Sequence, residues 1–309
     1  MDIPVHKPYS TLNLRDALHQ AVSYHQSGER QKAEAIYRQI LNTYPDHPDA
    51  LHLCGVSLHQ TGEHEKAELL IRKAIEVNPN EASYYSNLGV VLKSLNKLSE
   101  AITLFRKALE LSPDHIEARF NLGVAFQTQG QIEDAIACYN EILKNNPDYY
   151  EAYFHLGVIY RDQEKIAEAI AYLKKTLELY PEHGEATSSL LYQYQLSCDW
   201  KAVEECATKL DNLNHIALNK GEKTPETPFS VLTRYSDPAK AYQIAKTWCK
   251  DIVQSAAKSK HAFLFENRKQ NKSKLTIGYV SADFCYHPVA QQILSLFGLH
   301  NRNEFKILC

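Results

Sequence analysis

A period of 34 residues is the sequence feature that most constrains how this chain can fold. Three residue types recur at this spacing. The prolines are Pro45, Pro79, Pro113, Pro147 and Pro181. The alanines are Ala33, Ala67, Ala101, Ala135 and Ala169, and the glycines are Gly55, Gly89, Gly123 and Gly157. A repeat of this length predicts a stack of similar units, each packed against its neighbours, rather than one globular core.

Each recurring position has a physical role in a pair of helices. Glycine and alanine are small enough for two helices to cross with their backbones close together, and proline ends the second helix because it cannot continue a helical backbone. A large residue follows each alanine by four positions and is expected to fill the space beside the crossing: Tyr37, Ile71, Phe105, Tyr139 and Leu173. A turn residue separates the two helices: Gly28, Gly62, Asn96, Gly130 and Glu164, of which the last departs from the pattern.

This pattern resembles the tetratricopeptide repeat and predicts a mostly α fold, a superhelical α-solenoid. After an N-terminal segment, residues 1–13, the repeats are expected to occupy residues 14–217. The five clear units are 14–47, 48–81, 82–115, 116–149 and 150–183. Residues 184–217 are expected to form a sixth, degenerate unit, because they keep apolar positions but lack the glycine, the first alanine and the closing proline.

The first helices of such a solenoid line a concave groove, which predicts a binding surface. Asn87 and Asn121 occupy the same position in successive repeats, and His155 occupies it in the next. An asparagine amide both donates and accepts hydrogen bonds, so it can hold the backbone of an extended peptide whatever its sequence. We therefore expect Asn87, Asn121 and His155 to contact an extended protein or peptide. The alternative is that all three are ordinary polar surface residues.

The chain changes character after the repeats. Residues 218–274 are predicted to be a helical linker region, with three prolines followed by an apolar stripe of helical period. Residues 275–309 predict the first βαβ unit of a Rossmann-like α/β lobe: a strand from Leu275 to Ser281, a loop that contains Asp283 and His287, a helix, and a second strand. Residues 258–274 carry six Lys or Arg against a single Glu266, which indicates either a patch that binds nucleic acid or phosphate or a solvated linker.

Two short segments carry a more specific resemblance. CDW at 198–200, and IGYVSADF with HP at 277–288, resemble the O-linked N-acetylglucosamine transferase family. The resemblance implies transfer of N-acetylglucosamine from UDP-N-acetylglucosamine to Ser or Thr, with no further cofactor. His287 matches a histidine in the family's active-site cleft and is expected to be a catalytic base or a positioning group, while Asp283 is expected to be structural. Only part of the family's asparagine ladder is present, because Leu53 and His155 stand where further asparagines would be.

Composition limits the remaining possibilities. The net charge of -3 gives no bulk attraction to nucleic acid or acidic membranes, and no apolar run approaches the ~20 residues of a membrane helix. The seven cysteines are scattered without a CxxC pair, and no histidine pair has metal-ligand spacing, so we expect a cytoplasmic protein without a metal. The resemblance places most of the donor site beyond Cys309, so we expect a UDP-sugar to bind only the intact parent protein and this portion to be inactive alone. The alternative is a non-catalytic peptide-binding scaffold.

Overall fold

The computed structural model describes residues 11–231, 234–235, 237–258, 275–278 and 305–308. The chain divides into two compact units, Met1–Asp251 and Ile252–Cys309. In the described residues, no helix is both long and apolar enough to cross a membrane, and the five described cysteines are all free.

Helices occupy almost all of the described part of the first unit. Six consecutive pairs follow the predicted register, and in each pair the two helices pack against each other. The bounds of these helices are α1 Thr11–Gln26, α2 Arg30–Thr43, α3 Pro48–Gln60, α4 His64–Val77, α5 Ala82–Ser94, α6 Leu98–Leu111, α7 Ile116–Thr128, α8 Ile132–Asn145, α9 Tyr150–Asp162, α10 Ile166–Leu179, α11 Gly184–Leu196 and α12 Trp200–Lys220. A short helix, α13 (Pro228–Val231), and a longer one, α14 (Pro238–Lys258), follow. The predicted tetratricopeptide solenoid is confirmed.

Close contact between a glycine and a large side chain joins the two helices of each central repeat. A Cβ atom added at Gly89 would lie 2.5 Å from Cε1 of Phe105, and one at Gly123 would lie 2.8 Å from Cε1 of Tyr139. Phe105 and Tyr139 are fully buried, as are the five alanines of the repeat. The spacing of glycines and large residues in the sequence therefore reflects a packing constraint. The aromatic ring occupies the volume that a side chain at the glycine position would need.

The turn between paired helices keeps its left-handed backbone where the glycine is absent. Glu164 has a φ of 58° and Cys198 a φ of 57°, at the positions that Gly130 (φ 78°) holds in an earlier repeat. In each case the next N–H reaches back to the preceding helix: Lys165 N to Tyr160 O at 2.9 Å, and Asp199 N to Tyr194 O at 3.1 Å. The 34-residue geometry therefore continues through the degenerate sixth unit.

Packing in the sixth unit reverses the sizes found in the central repeats. Leu191 stands at the glycine position and Ala207 at the position of the large residue. Both lie in one apolar cluster with Leu173, Leu190 and Leu210. The large and small partners have exchanged helices, so the crossing is still filled.

A buried polar network holds the segment that follows α12. Arg234 donates to Glu226 Oε2 at 2.8 Å and to Asp211 Oδ1 at 2.7 Å, and the Glu226 side chain is fully buried. Asn214 also donates to Glu226 Oε2, at 2.7 Å. The indole Nε1 of Trp248, on α14, donates to the Glu226 carbonyl oxygen at 3.0 Å. These bonds fix Glu226 and Arg234 against α12 and join Trp248 to Glu226.

Two short strands are described in the second unit. Strand β1 (Leu275–Gly278) pairs in parallel with β2 (Phe305–Leu308), and Leu275 lies opposite Phe305. Both described strands fall within the two predicted strand segments, whose other residues lie outside the described part of the chain. The loop with Asp283 and His287 and the helix expected after it lie outside the described residues, so the wider Rossmann-like lobe stays a prediction.

Candidate functional site

The first helices of the repeats form one continuous surface. Helix α3 contacts α5, α5 contacts α7, and α9 contacts α11, in addition to the contacts within each pair. Asn87, Asn121 and His155 project from this surface and are each half-buried. The structure therefore places the three predicted peptide-binding residues on one groove.

Hydrogen bonds link neighbouring repeats across the floor of this groove. Lys93 Nζ donates to Asn121 Oδ1 at 3.4 Å. Gln127 Oε1 lies 3.1 Å from His155 Nδ1, and Arg161 Nη1 donates to Ser189 Oγ at 3.2 Å. The first residues of these pairs, near the ends of first helices, are spaced 34 residues apart: Lys93, Gln127 and Arg161. Their partners in the next repeats, Asn121, His155 and Ser189, have the same spacing. This repeated contact, which we call the groove ladder, orders the side chains that a ligand would meet.

Two histidines of the groove, His52 and His155, are neutral near pH 7. Burial lowers the pKa of His52 to about 4, and the Nε2 atom of this ring lies 2.8 Å from Asn87 Nδ2. An amide nitrogen can only donate, so His52 Nε2 accepts and the imidazole proton is on Nδ1. Asn87 therefore keeps its carbonyl oxygen as an acceptor for a ligand.

His155 sits among aromatic rings. It stacks on Tyr139 with a centroid distance of 5.3 Å and meets Phe120 edge-on at 5.2 Å. Burial, with a smaller contribution from the charge of Lys93, lowers its pKa to about 4. Because Gln127 Oε1 accepts from Nδ1, the Nε2 atom of the neutral ring is an acceptor.

Beyond His155 the groove becomes a partly enclosed cleft of about 810 Å³. Helices α7, α9 and α11 form one side, and the segment after α12 contributes Phe229 and Trp248. The Phe229 side chain is 80% exposed. Sequence reasoning missed this cleft, because nothing in the linker predicts which way it folds back.

The structure also shows a second set of histidines that the sequence interpretation overlooked. His47, His115 and His183 each begin a first helix, and each accepts a backbone N–H from the residue three positions later through Nδ1, at 3.2–3.3 Å. Their spacing of 68 residues, twice the repeat, is the signal that would have identified them. They stabilise helix starts.

The predicted catalytic residue, His287, lies outside the described residues. Its role as a base or positioning group stays a prediction. Among the described residues there is no cluster of three or more His, Cys, Asp or Glu side chains with the geometry of a metal site.

Comparison with known families divides the chain in two. Residues 24–89, 80–148 and 120–183 match tetratricopeptide repeat models. Residues 197–309 match the model of glycosyl transferase family 41. The second match begins beside the CDW segment and includes both described strands.

Two relatives carry enzyme names. The chain is 26% identical over 126 residues to the probable UDP-N-acetylglucosamine–peptide N-acetylglucosaminyltransferase SEC of Arabidopsis thaliana, which covers 39% of this chain and 13% of that protein. It is 31% identical over 120 residues to the UDP-N-acetylglucosamine–peptide N-acetylglucosaminyltransferase of Caenorhabditis elegans, which covers 37% of this chain and 10% of that protein. The matched part is thus a small share of either relative.

Similar solved structures support the fold. The pilus biogenesis factor PilW is 20% identical with a TM-score of 0.60, covering 66% of this chain and 94% of that one. The pilF protein of Pseudomonas aeruginosa is 17% identical with a TM-score of 0.59, covering 65% of this chain and 91% of that one. At these identities the likeness concerns the fold alone.

The solenoid and its matches define a tetratricopeptide-repeat protein. The resemblance to the O-linked N-acetylglucosamine transferase family is also confirmed: the chain resembles the N-terminal, repeat-bearing portion of such a glycosyltransferase.

Proposed function

We propose that this chain is the acceptor-binding part of a protein O-glycosyltransferase that moves N-acetylglucosamine from UDP-N-acetylglucosamine to Ser or Thr. One observation carries the proposal: a groove with an ordered polar ladder occurs in the same chain as a match to glycosyl transferase family 41 over residues 197–309. A cytoplasmic setting is part of the proposal and agrees with the free cysteines among the described residues.

The acceptor binds as an extended peptide along the groove. The Asn87 carbonyl oxygen and the His155 Nε2 atom accept backbone N–H groups of the peptide, as derived from the neutral imidazoles above. Asn121 already donates to Glu117 O at 2.8 Å and accepts from Lys93 at 3.4 Å. It must exchange one of these bonds to contact a peptide, and the longer bond to Lys93 is the one it gives up more readily.

His287 acts at the transfer step in the intact protein. An imidazole titrates near neutral pH, so it is suited either to accept the proton of the Ser or Thr hydroxyl or to position that hydroxyl. The UDP-sugar donor binds the intact parent. That the 309 residues alone catalyse no transfer stays a prediction.

Peptide binding is tested with a fluorescent library of extended Ser- and Thr-containing peptides. The Asn87→Ala, Asn121→Ala double variant should lower affinity by about tenfold, the effect of losing one or two net hydrogen bonds. The exposed Asn80→Ala variant is the matched control and should bind like the wild type. Equal loss in both, or loss of thermal stability in the double variant, would contradict a role in binding.

Transfer is tested in a longer natural protein that carries these residues, with radiolabelled UDP-N-acetylglucosamine and the best peptide. His287→Ala should lower the rate by at least about 10²-fold with folding retained. A fully active His287→Ala variant would remove this residue from the site.

A peptide-binding scaffold without chemistry is the second candidate. It is favoured by the first unit having its own buried core and complete groove without residues 252–309. The two functions are separated by calorimetric titration with UDP-N-acetylglucosamine and by the transfer assay. Peptide binding that is never accompanied by donor binding or transfer, in any longer form, would favour the scaffold.

A further inference from the structure

Lys93 differs from the other lysines around it. Nearby lysines pair with carboxylates: Lys97 with Glu68 at 2.8 Å, and Lys107 with Glu110 at 3.0 Å. Lys93 is half-buried in the groove, and its hydrogen bond goes to the neutral amide of Asn121 at 3.4 Å. Among the described residues no carboxylate lies within ion-pair distance of its ammonium. In the described part of the chain, the groove therefore contains a cation without a counter-charge.

The surroundings of Lys93 are neutral or positive. Burial, and then the charges of His64 and Lys93, lower the pKa of His59 on α3, and Lys93 also lowers the pKa of His155 on α9. The field of this one ammonium thus reaches first helices on both sides of its own. Burial lowers the pKa of Lys93 itself, and no carboxylate of the described residues opposes that effect.

Helix electrostatics explain only part of this arrangement. Lys93 lies in the last turn of α5, where a cation is favoured by the partial negative charge of the helix end. That effect requires only that the charge be near the helix end. The helix-end effect does not explain why the Lys93 side chain lies in the groove and contacts Asn121 of the next repeat, where it is partly removed from water.

We propose that Lys93 determines specificity by binding the carboxylate of an Asp or Glu side chain in the extended peptide, an inference that rests on the proposed function of the groove. The peptide carboxylate replaces the long bond to Asn121 with a shorter, charge-assisted one. Asn121 Oδ1 is then released to accept a backbone N–H of the same peptide. Recognition of the acidic side chain and of the backbone are thereby coupled at one rung of the groove ladder.

The test uses the 309-residue chain and a synthetic peptide series. Each peptide is about 13 residues long, at up to ~3.4 Å per residue when extended, and is acetylated and amidated so that terminal charges are absent. A single Glu, Gln or phosphoserine is moved through every position, and affinity is measured by fluorescence anisotropy. The variants are Lys93→Gln, Lys93→Glu and, as control, Lys107→Gln, which removes an exposed lysine of the same repeat.

We expect one position at which Glu binds about tenfold more tightly than Gln, as for a hydrogen bond to a charged group. Lys93→Gln should abolish this preference, Lys93→Glu should reverse it, and Lys107→Gln should leave it unchanged. High salt should weaken the preference, because the Debye length falls to ~3 Å at about 1 M.

Three results would overturn the inference. Equal binding of Glu and Gln peptides refutes it while leaving the peptide groove intact. A preference for phosphoserine but not Glu assigns Lys93 to phosphopeptides instead. The absence of binding by every peptide counts against the groove function itself, and the inference falls with it.

Discussion

The central repeats, residues 48–183, and the region that follows them, residues 184–258, are held together by different forces. In the central repeats the helix crossings are apolar, with a glycine against an isoleucine, an aromatic ring or a leucine. Buried polar side chains are denser in the shorter second region, with Thr187, Gln193, Asn214, Thr224, Glu226 and Thr247, than in the central repeats, with His52, Ser57, Ser86 and Thr176. The first region repeats the same glycine crossing four times. The second region is held by one polar network around Glu226 and Arg234.

This difference explains why the groove ends where it does. A repeat packs against an identical neighbour, so its surface can continue indefinitely. The sixth unit has no such neighbour, and α12 instead extends to Lys220 and carries the polar network with Glu226 and Arg234. That network places Trp248 and the exposed Phe229 beside the groove and turns an open surface into a cleft.

The largest expected effect comes from breaking the network. Arg234→Leu removes both charged contacts of Arg234 and leaves the buried Glu226 carboxylate with Asn214 as its one partner among the described residues, so it should cost about 3–5 kcal/mol. Hydrogen exchange should show loss of protection in α12 and α14 while α5 to α8 stay protected. The control combines Arg234→Leu with Glu226→Gln, which removes the buried charge and should restore most of the stability. Uniform loss of protection along the chain would mean that the two regions are not distinct.

An exchange of sizes tests whether the sixth unit uses an equivalent packing. Gly89→Leu places a side chain where the Phe105 ring already lies and should cost about 3 kcal/mol. Phe105→Ala alone should cost about 3–5 kcal/mol from the cavity it leaves. The double variant reproduces the Leu191 and Ala207 arrangement and should be more stable than either single variant, as urea denaturation would show. Additive losses would contradict the equivalence.

The stability of the central repeats should depend on pH, because buried histidines line their groove. His52 has a folded pKa of about 4 against an unfolded value of 6.5, so folding favours the neutral imidazole. Its contribution is complete above pH 6.5 and is lost as the pH falls through the window from 6.5 to 4. The loss is at most about 3 kcal/mol, at 1.36 kcal/mol per pKa unit.

His52→Gln should reduce the slope of stability against pH in that window without abolishing it, since His155 contributes in the same direction. The exposed His19→Gln is the control and should keep the full slope. Urea denaturation above, within and below the window measures it. An unchanged slope in His52→Gln would show that this imidazole is protonated as easily in the fold as in the unfolded chain.

The smallest expected effect is an increase in stability, from replacing a buried glutamine. Gln193 is buried, and neither amide atom has a hydrogen-bond partner in the part of the chain that the structure describes, whereas Val91, Ala125 and Ile159 occupy the same position in earlier repeats. Gln193→Leu should stabilise the chain by about 1–2 kcal/mol, because an unsatisfied polar group is removed. Gln60→Leu at an exposed position should have no such effect in thermal melts. Destabilisation by Gln193→Leu would indicate that the amide makes a contact with water or a partner.

The sequence by itself determined the solenoid, because its period records a local packing rule. Glycine, alanine and a large residue at fixed spacing allow one helix crossing, and each crossing involves residues close together in the chain. The same period placed Asn87, Asn121 and His155 on one surface. Apart from the period, a β-branched run predicted the first strand and residues 303–309 predicted the second.

Only the tertiary structure decided what those side chains contact. Among the described residues Lys93 has no carboxylate partner, and Glu226 contacts Arg234, because of how elements far apart in the sequence approach one another. Those approaches depend on contacts that occur once and leave no period. Leu191 and Ala207 show the same limit, since the sequence records only the loss of the glycine, while the fold shows that the large and small residues have exchanged places. A packing rule that repeats can be read from the sequence, whereas a contact that occurs once is seen only in the tertiary structure.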